Sequence, residues 1–186
     1  MRADAQANHD RLLTVAGAVI AEQGVDVSMR DIARRAGVGL ATLLRHFPTR
    51  EALLEALLRT SFDELTARAA EVEKTSPPQE ALVLWLRDFI TATTNYRGVV
   101  TAMVKAIEDP ESALHTSCVA MRASGARLLT HAQAANLVRT DLDGADLFAL
   151  ASSLAWLSDQ PGLEARAEHL FKVVLSAIMT DGARAN

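Results

Sequence analysis

Apolar residues recur at spacings of three and four along almost the whole chain, and no stretch shows the apolar–polar alternation of a half-buried strand. Leu12, Leu13, Ala16 and Ile20 set the pattern, and Gly24 stops it. An all-α fold is the expectation. A second helix should open at Ser28, because Ser28 and Asp31 have capping-box spacing, and it should run to about Ala36 before Gly37. A short third helix spans about Leu40 to Phe47. Pro48 and Thr49 then end it and cap a fourth helix, which Leu53, Leu54, Leu57, Leu58 and Leu65 carry towards Lys74.

The adjacent prolines in TSPPQE, residues 75 to 80, should interrupt the helical pattern and separate two subdomains. Five more helices are expected beyond them. They run from Leu82 to Thr93, from Val99 to Ile107, from about Glu111 to Ala135, from a cap at Asp143 to about Trp156, and from about Leu163 to Met179. The organisation that follows has nine helices. Residues 1–50 form a three-helix head, 51–74 a connecting helix and 75–186 a larger helical bundle.

The formal net charge of -4 argues against a polyanionic partner until it is divided along the chain. Residues 28 to 50 hold Arg30, Arg34, Arg35, Arg45 and Arg50 against Asp31 alone, five minus one or +4. From residue 61 onward eleven basic side chains face sixteen acidic ones, a net of -5. Positive potential is therefore confined to the head, where it can meet phosphate. With no apolar run of membrane-spanning length and no secretory signal pattern, a cytoplasmic location is expected. Cys118 is the only cysteine, which excludes an internal disulfide.

Two short helices joined by a glycine-containing turn make a helix-turn-helix unit, whose second helix can enter the DNA major groove. Ala33 is small where the helices cross, Gly37 admits the turn, and Leu43 points to the core. Leu40, Ala41 and Thr42 are candidates for base contact, and Arg45 and His46 for phosphate. Thr49 with Arg50, and Ser28 with Arg30, stand at helix starts suited to anions, and Gly39 can serve as an N-cap.

The run SMRDIARRAGVGLATLLRHFPTREALLEALL closely resembles the DNA-binding head of TetR-family transcriptional regulators over roughly residues 10 to 58. Leu44 stands where that family usually has a phosphate-contacting tyrosine, and Arg50 replaces a usual lysine. The resemblance implies a ligand-responsive regulator, in the main a repressor. It would bind a two-fold symmetric operator in double-stranded DNA as a homodimer and be released by a small apolar effector. It further implies an effector cavity in the body, for which Trp85, Phe89, Met103, Cys118, Met121 and Trp156 are candidates. The last two helices are apolar around most of their circumference, so Phe148, Leu154, Leu157, Leu170, Val174 and Ile178 are expected in a four-helix interface between two subunits.

Two alternatives remain at this level: a non-switching architectural DNA-binding protein, and a redox sensor based on Cys118. No nucleophile, base and orienting acid form a catalytic set, and His115 with Cys118 alone does not make a metal site, so neither enzyme activity nor a cofactor is expected.

Overall fold

The computed structural model describes residues 2–95, 105, 109–158, 160 and 162–180. Among them eight α-helices follow in order: α1 Arg2–Gln23, α2 Met29–Arg35, α3 Leu40–His46, α4 Arg50–Thr75, α5 Pro78–Thr94, α6 Ala113–Ala134, α7 Gly144–Ser158 and α8 Ala167–Ile178. The described residues hold no strand, only an isolated antiparallel bridge between Val138 and Met179. The helix expected between Val99 and Ile107 lies outside the described residues, as does Met103.

Local signals account for most boundaries. The Ser28 hydroxyl accepts from Asp31 N at 3.1 Å and donates to the Asp31 carboxylate at 2.6 Å, so the capping pair closes through two side chains. α2 ends in a Schellman turn: Gly37 N donates to Arg34 O and Val38 N to Ala33 O, with Gly37 at a φ of 66° that a residue with a Cβ would adopt only under strain. Thr49 caps α4 by accepting from Ala52 N at 3.0 Å. The prolines interrupt the chain less than their sequence suggests. Pro77 is the N-cap of α5 and Pro78 its first residue, so Gln79 and Glu80 are already helical. Proline fits there because the first amide of a helix has no partner to lose.

Two apolar cores divide inside α4 rather than at the Pro77–Pro78 turn. Leu53 and Leu57 join Leu12, Ala16, Ile20, Ile32, Ala33, Leu43 and Phe47 in the head. Leu58, Phe62, Leu65, Ala69 and Val72 face the second core with Leu82, Trp85, Phe89, Cys118, Met121 and Leu128. A single continuous helix thus runs through both. In the body α4 packs chiefly on α6, and α5 and α7 close over that pair.

Candidate DNA-reading edge and the packing of the body

α3 buries one of its own side chains fully and leaves the rest exposed or half-buried. Leu43 is fully buried and Phe47 nearly so, which anchors the helix to the head core. Gly39, Ala41, Leu44 and Arg45 are exposed, and Leu40, Thr42 and His46 are half-buried. Leu44 thus carries an apolar side chain on the outward edge. The hydroxyl of Thr42 accepts from Arg45 Nη2 at 3.0 Å, so the two are paired until a ligand separates them. Gly39 occupies the N-cap of α3 and supplies no side-chain bond there.

The arginines of the head are less free than the formal charge suggests. Arg34 pairs with Asp31 at 2.7 Å and Arg35 with Glu22 at 2.8 Å. Arg50 donates to Asp26 O at 3.2 Å and lies 3.7 Å from its carboxylate. Arg30 is exposed and takes part in no ion pair or hydrogen bond among the described residues. Exposed pairs of this kind are weak, so phosphate can displace the carboxylates at small cost.

His46 is tied inward. Its Nε2 lies 3.2 Å from Asn8 Nδ2, and its ring stands 5.8 Å from that of His9, which packs on Phe47 at 4.7 Å. Asn8 Oδ1 accepts from Arg11 Nη2 at 3.0 Å, and Arg11 Nη1 donates to Ala36 O at 2.9 Å. The sequence reading missed Asn8, His9 and Arg11 because it traced the first helix only from Leu12. The three-residue separation of Asn8 and Arg11, which places them on one helical face, was the available signal.

In the body four of the residues expected to line an effector cavity, Trp85, Phe89, Cys118 and Met121, are packed into the core. The void beside Trp85 and Phe89 measures about 10 Å³. The Trp85 indole N–H is spent on Leu65 O at 3.0 Å, while its ring stacks on Phe89 with centroids 5.7 Å apart. These side chains therefore act as core. Trp156 does not join them: it is 53% exposed on the outer side of α7. Helical spacing alone could not tell the two apart, because an inward and an outward aromatic both satisfy the same period.

Open volume lies instead beside α4. One cleft of about 500 Å³ is bounded by Asp10, Thr14 and Gly17 of α1 and by Leu57, Thr60 and Glu64 of α4. A second, of about 510 Å³, runs between α4 and α5 past Arg68, Glu71, Asp88 and Thr91. Ser61, Glu64 and Asn95 border both. In the second cleft Arg68 bridges Glu71 at 2.8 Å and Asp88 at 2.9 Å.

The expected subunit-interface residues divide in the same way. Leu154 and Ile178 are buried within their own chain and are not available to a partner. Phe148 is half-buried, edge-on to Phe89 and beneath Arg122, whose guanidinium carbon lies 4.6 Å from the ring centre. Leu157, Leu170 and Val174 are half-buried, and among the described residues of α7 and α8 the large apolar side chains that are exposed are Trp156 and Val173. α5 and α8 are joined by a two-fold contact of Arg87 Nη1 and Nη2 with the two oxygens of Glu168, at 2.8 and 2.9 Å. That pairing, with help from Lys172, holds the Glu168 carboxyl down at a pKa of about 2. Cys118 has no exposed surface, and burial pushes its thiol up despite the opposing charge of Arg122, the reverse of what a reactive thiolate needs.

Among the described residues no three side chains are grouped to hold a metal ion, and no helix is long and apolar enough to cross a membrane. A short outward-facing helix after a glycine turn, set on a helical body by one shared helix, defines the class of helix-turn-helix proteins with a C-terminal all-helical domain. Residues 12–57 match the family described as bacterial regulatory proteins, tetR family, and residues 77–179 match the C-terminal domain of SbtR-like transcriptional regulators. The chain belongs to the TetR family of transcriptional regulators. It is similar to a TetR transcriptional regulator of Streptomyces coelicolor, 34% identical with a TM-score of 0.72, the alignment covering 93% of this chain and 99% of the other. A TetR regulator of Mycobacterium vanbaalenii is also 34% identical, with a TM-score of 0.70 and coverage of 96% and 99%. A helix-turn-helix transcriptional regulator of Staphylococcus aureus is 39% identical over 67 residues, so the chain spans about a third of that curated relative, 35% of its length.

Proposed function

We propose that the protein is a homodimeric repressor that inserts α3 into the major groove of a two-fold symmetric operator. The observation that carries this reading is the division of α3 itself: Leu43 is locked in the head core while Ala41, Leu44 and Arg45 face outward. A helix held on one side and open on the other can present base-reading atoms without rearranging. Arg30, Arg45 and Arg50 supply phosphate contacts, and two heads would bind half-sites about one helical turn apart. Selection of bound sequences from random duplex DNA tests it. The expected product is a palindrome bound with a steep salt dependence, whereas recovery of no preferred sequence would leave only an architectural role.

Release by a small molecule is assigned to the clefts beside α4, not to the packed centre around Trp85. They adjoin the helix that carries both Leu57 of the head core and Leu58 of the body core, so a molecule wedged there would tilt the head against the body. The walls contain Glu64, Arg68, Glu71 and Asp88, which favours an effector with polar groups over a purely apolar one. Coupling of about 1 to 3 kcal/mol would lower DNA affinity by about 5-fold to 150-fold, and DNA must weaken effector binding by the same factor. A ligand that saturates the body without changing operator affinity would refute the switch for that ligand.

A further inference from the structure

The least expected feature of the head is the chain of contacts that runs from the end of α2 through α1 to the end of α3. Arg11 donates to Ala36 O with one nitrogen and to Asn8 Oδ1 with another. Asn8 Nδ2 in turn meets His46 Nε2. A guanidinium has donors only, so Asn8 must turn its carbonyl towards Arg11 and its amide towards His46. An amide NH₂ also has donors only. His46 Nε2 must therefore accept, which requires a neutral ring with its proton on Nδ1.

We propose that His46 is a positioning residue, the neutral acceptor at the end of an Arg11–Asn8–His46 relay that sets the angle of α3, and that its protonation loosens α3 and weakens operator binding. This rests on the DNA-binding reading of α3. When Nε2 gains a proton, a donor faces a donor. If Asn8 rotates to offer its carbonyl, its amide then faces Arg11 and that bond fails instead. Either way one contact of the relay is lost. The titratable and charged groups nearest the ring are His9 of α1 and Glu55 and Arg59 of α4, which share a hollow of about 220 Å³ with His46; Arg11 reaches it only through Asn8, and Arg45, the preceding residue of α3, is turned to Thr42.

A phosphate ligand would respond to acid in the opposite direction, since an imidazolium binds phosphate better than an imidazole does. The test is operator affinity of the full chain between about pH 8 and 5.5. It uses the duplex recovered from random-sequence selection, with far-ultraviolet circular dichroism confirming equal helix content at each pH. Wild-type affinity is expected to fall about five-fold per head on acidification, the effect of one side-chain hydrogen bond. H46Q places a permanent acceptor near the position of Nε2 and should bind as wild type at high pH with a flat profile. H9Q should keep the wild-type profile. N8D offers a carboxylate that accepts from both Arg11 and an imidazolium, and should hold or raise affinity as pH falls. Wild-type affinity that rises in acid, together with an H46Q variant that binds weakly at every pH with a shallower salt dependence, would overturn the proposal and place His46 on phosphate. Failure of the wild type to bind any duplex at low salt would remove the underlying DNA-binding reading and the proposal with it.

Discussion

Gly125 of α6 lies flat against the indole of Trp85: a Cβ on this glycine would come within 2.4 Å of Cη2 and 2.6 Å of Cζ3. The ring cannot retreat, because its N–H is bonded to Leu65 O on one side and its face is stacked on Phe89 on the other. Alanine in place of glycine gains about 1 kcal/mol of helix propensity, but overpacking of a filled core costs about 1 to 3 kcal/mol. With a contact this short and a neighbour this fixed, the overpacking dominates. Gly125→Ala should lower the urea midpoint without changing the slope. An unchanged or raised midpoint would mean that the α5–α6 contact is looser than described.

Gly39 presents the opposite case. Nothing lies within 4 Å of its missing Cβ, its backbone is extended at φ -70° and ψ 148°, and it caps α3 without a side-chain bond. Gly39→Ser should therefore stabilise the head by a few tenths of a kcal/mol, about the difference between these residues as N-caps. Thermal unfolding would show it as a small rise, and a fall would indicate that the serine hydroxyl fails to reach the amides of α3.

The Arg87–Glu168 clamp gives stability a defined acid limb. Glu168 has a folded pKa of about 2 against an ordinary 4.5, so it binds protons more weakly folded than unfolded. Its contribution is complete above about pH 4.5 and is lost as pH falls towards 2. Across that window the melting temperature of the wild type should drop more steeply than that of Glu168→Gln. Parallel profiles would show that the pair is broken in solution.

Arg50 tests the operator contacts. Arg50→Ala should weaken binding evenly across duplex sequences and reduce the salt slope by about 1. A changed sequence preference with an unchanged slope would assign Arg50 to base reading or to its bond with Asp26 O.

Trp156 and Val173 test the proposed subunit interface. Because they are 53% and 47% exposed, charged replacements can leave the fold intact while disrupting a partner contact. Trp156→Glu should raise the dimer dissociation constant at least about 30-fold, as expected for an interface hot spot. Sedimentation would read it, and a wild type that is already monomeric at micromolar concentration would remove the interface itself.

Much of the head was legible because its signals are local. Ser28 with Asp31, Gly37 and Thr49 act on backbone atoms one to four residues away, so their order along the chain sets the α2–turn–α3–α4 arrangement almost without reference to anything distant. The all-helical class is written in the same way, in the recurrence of apolar residues every three or four positions. Tertiary structure decided what a helical period leaves open, which is what each face meets. It placed Trp85 inside and Trp156 outside, packed Trp85 and Phe89 around a void of about 10 Å³, left clefts along α4, and brought Asn8 to His46 across 38 residues. Periodicity identifies a stripe that must avoid water. Only the packing of several helices together determines whether core, ligand or a second subunit covers that stripe.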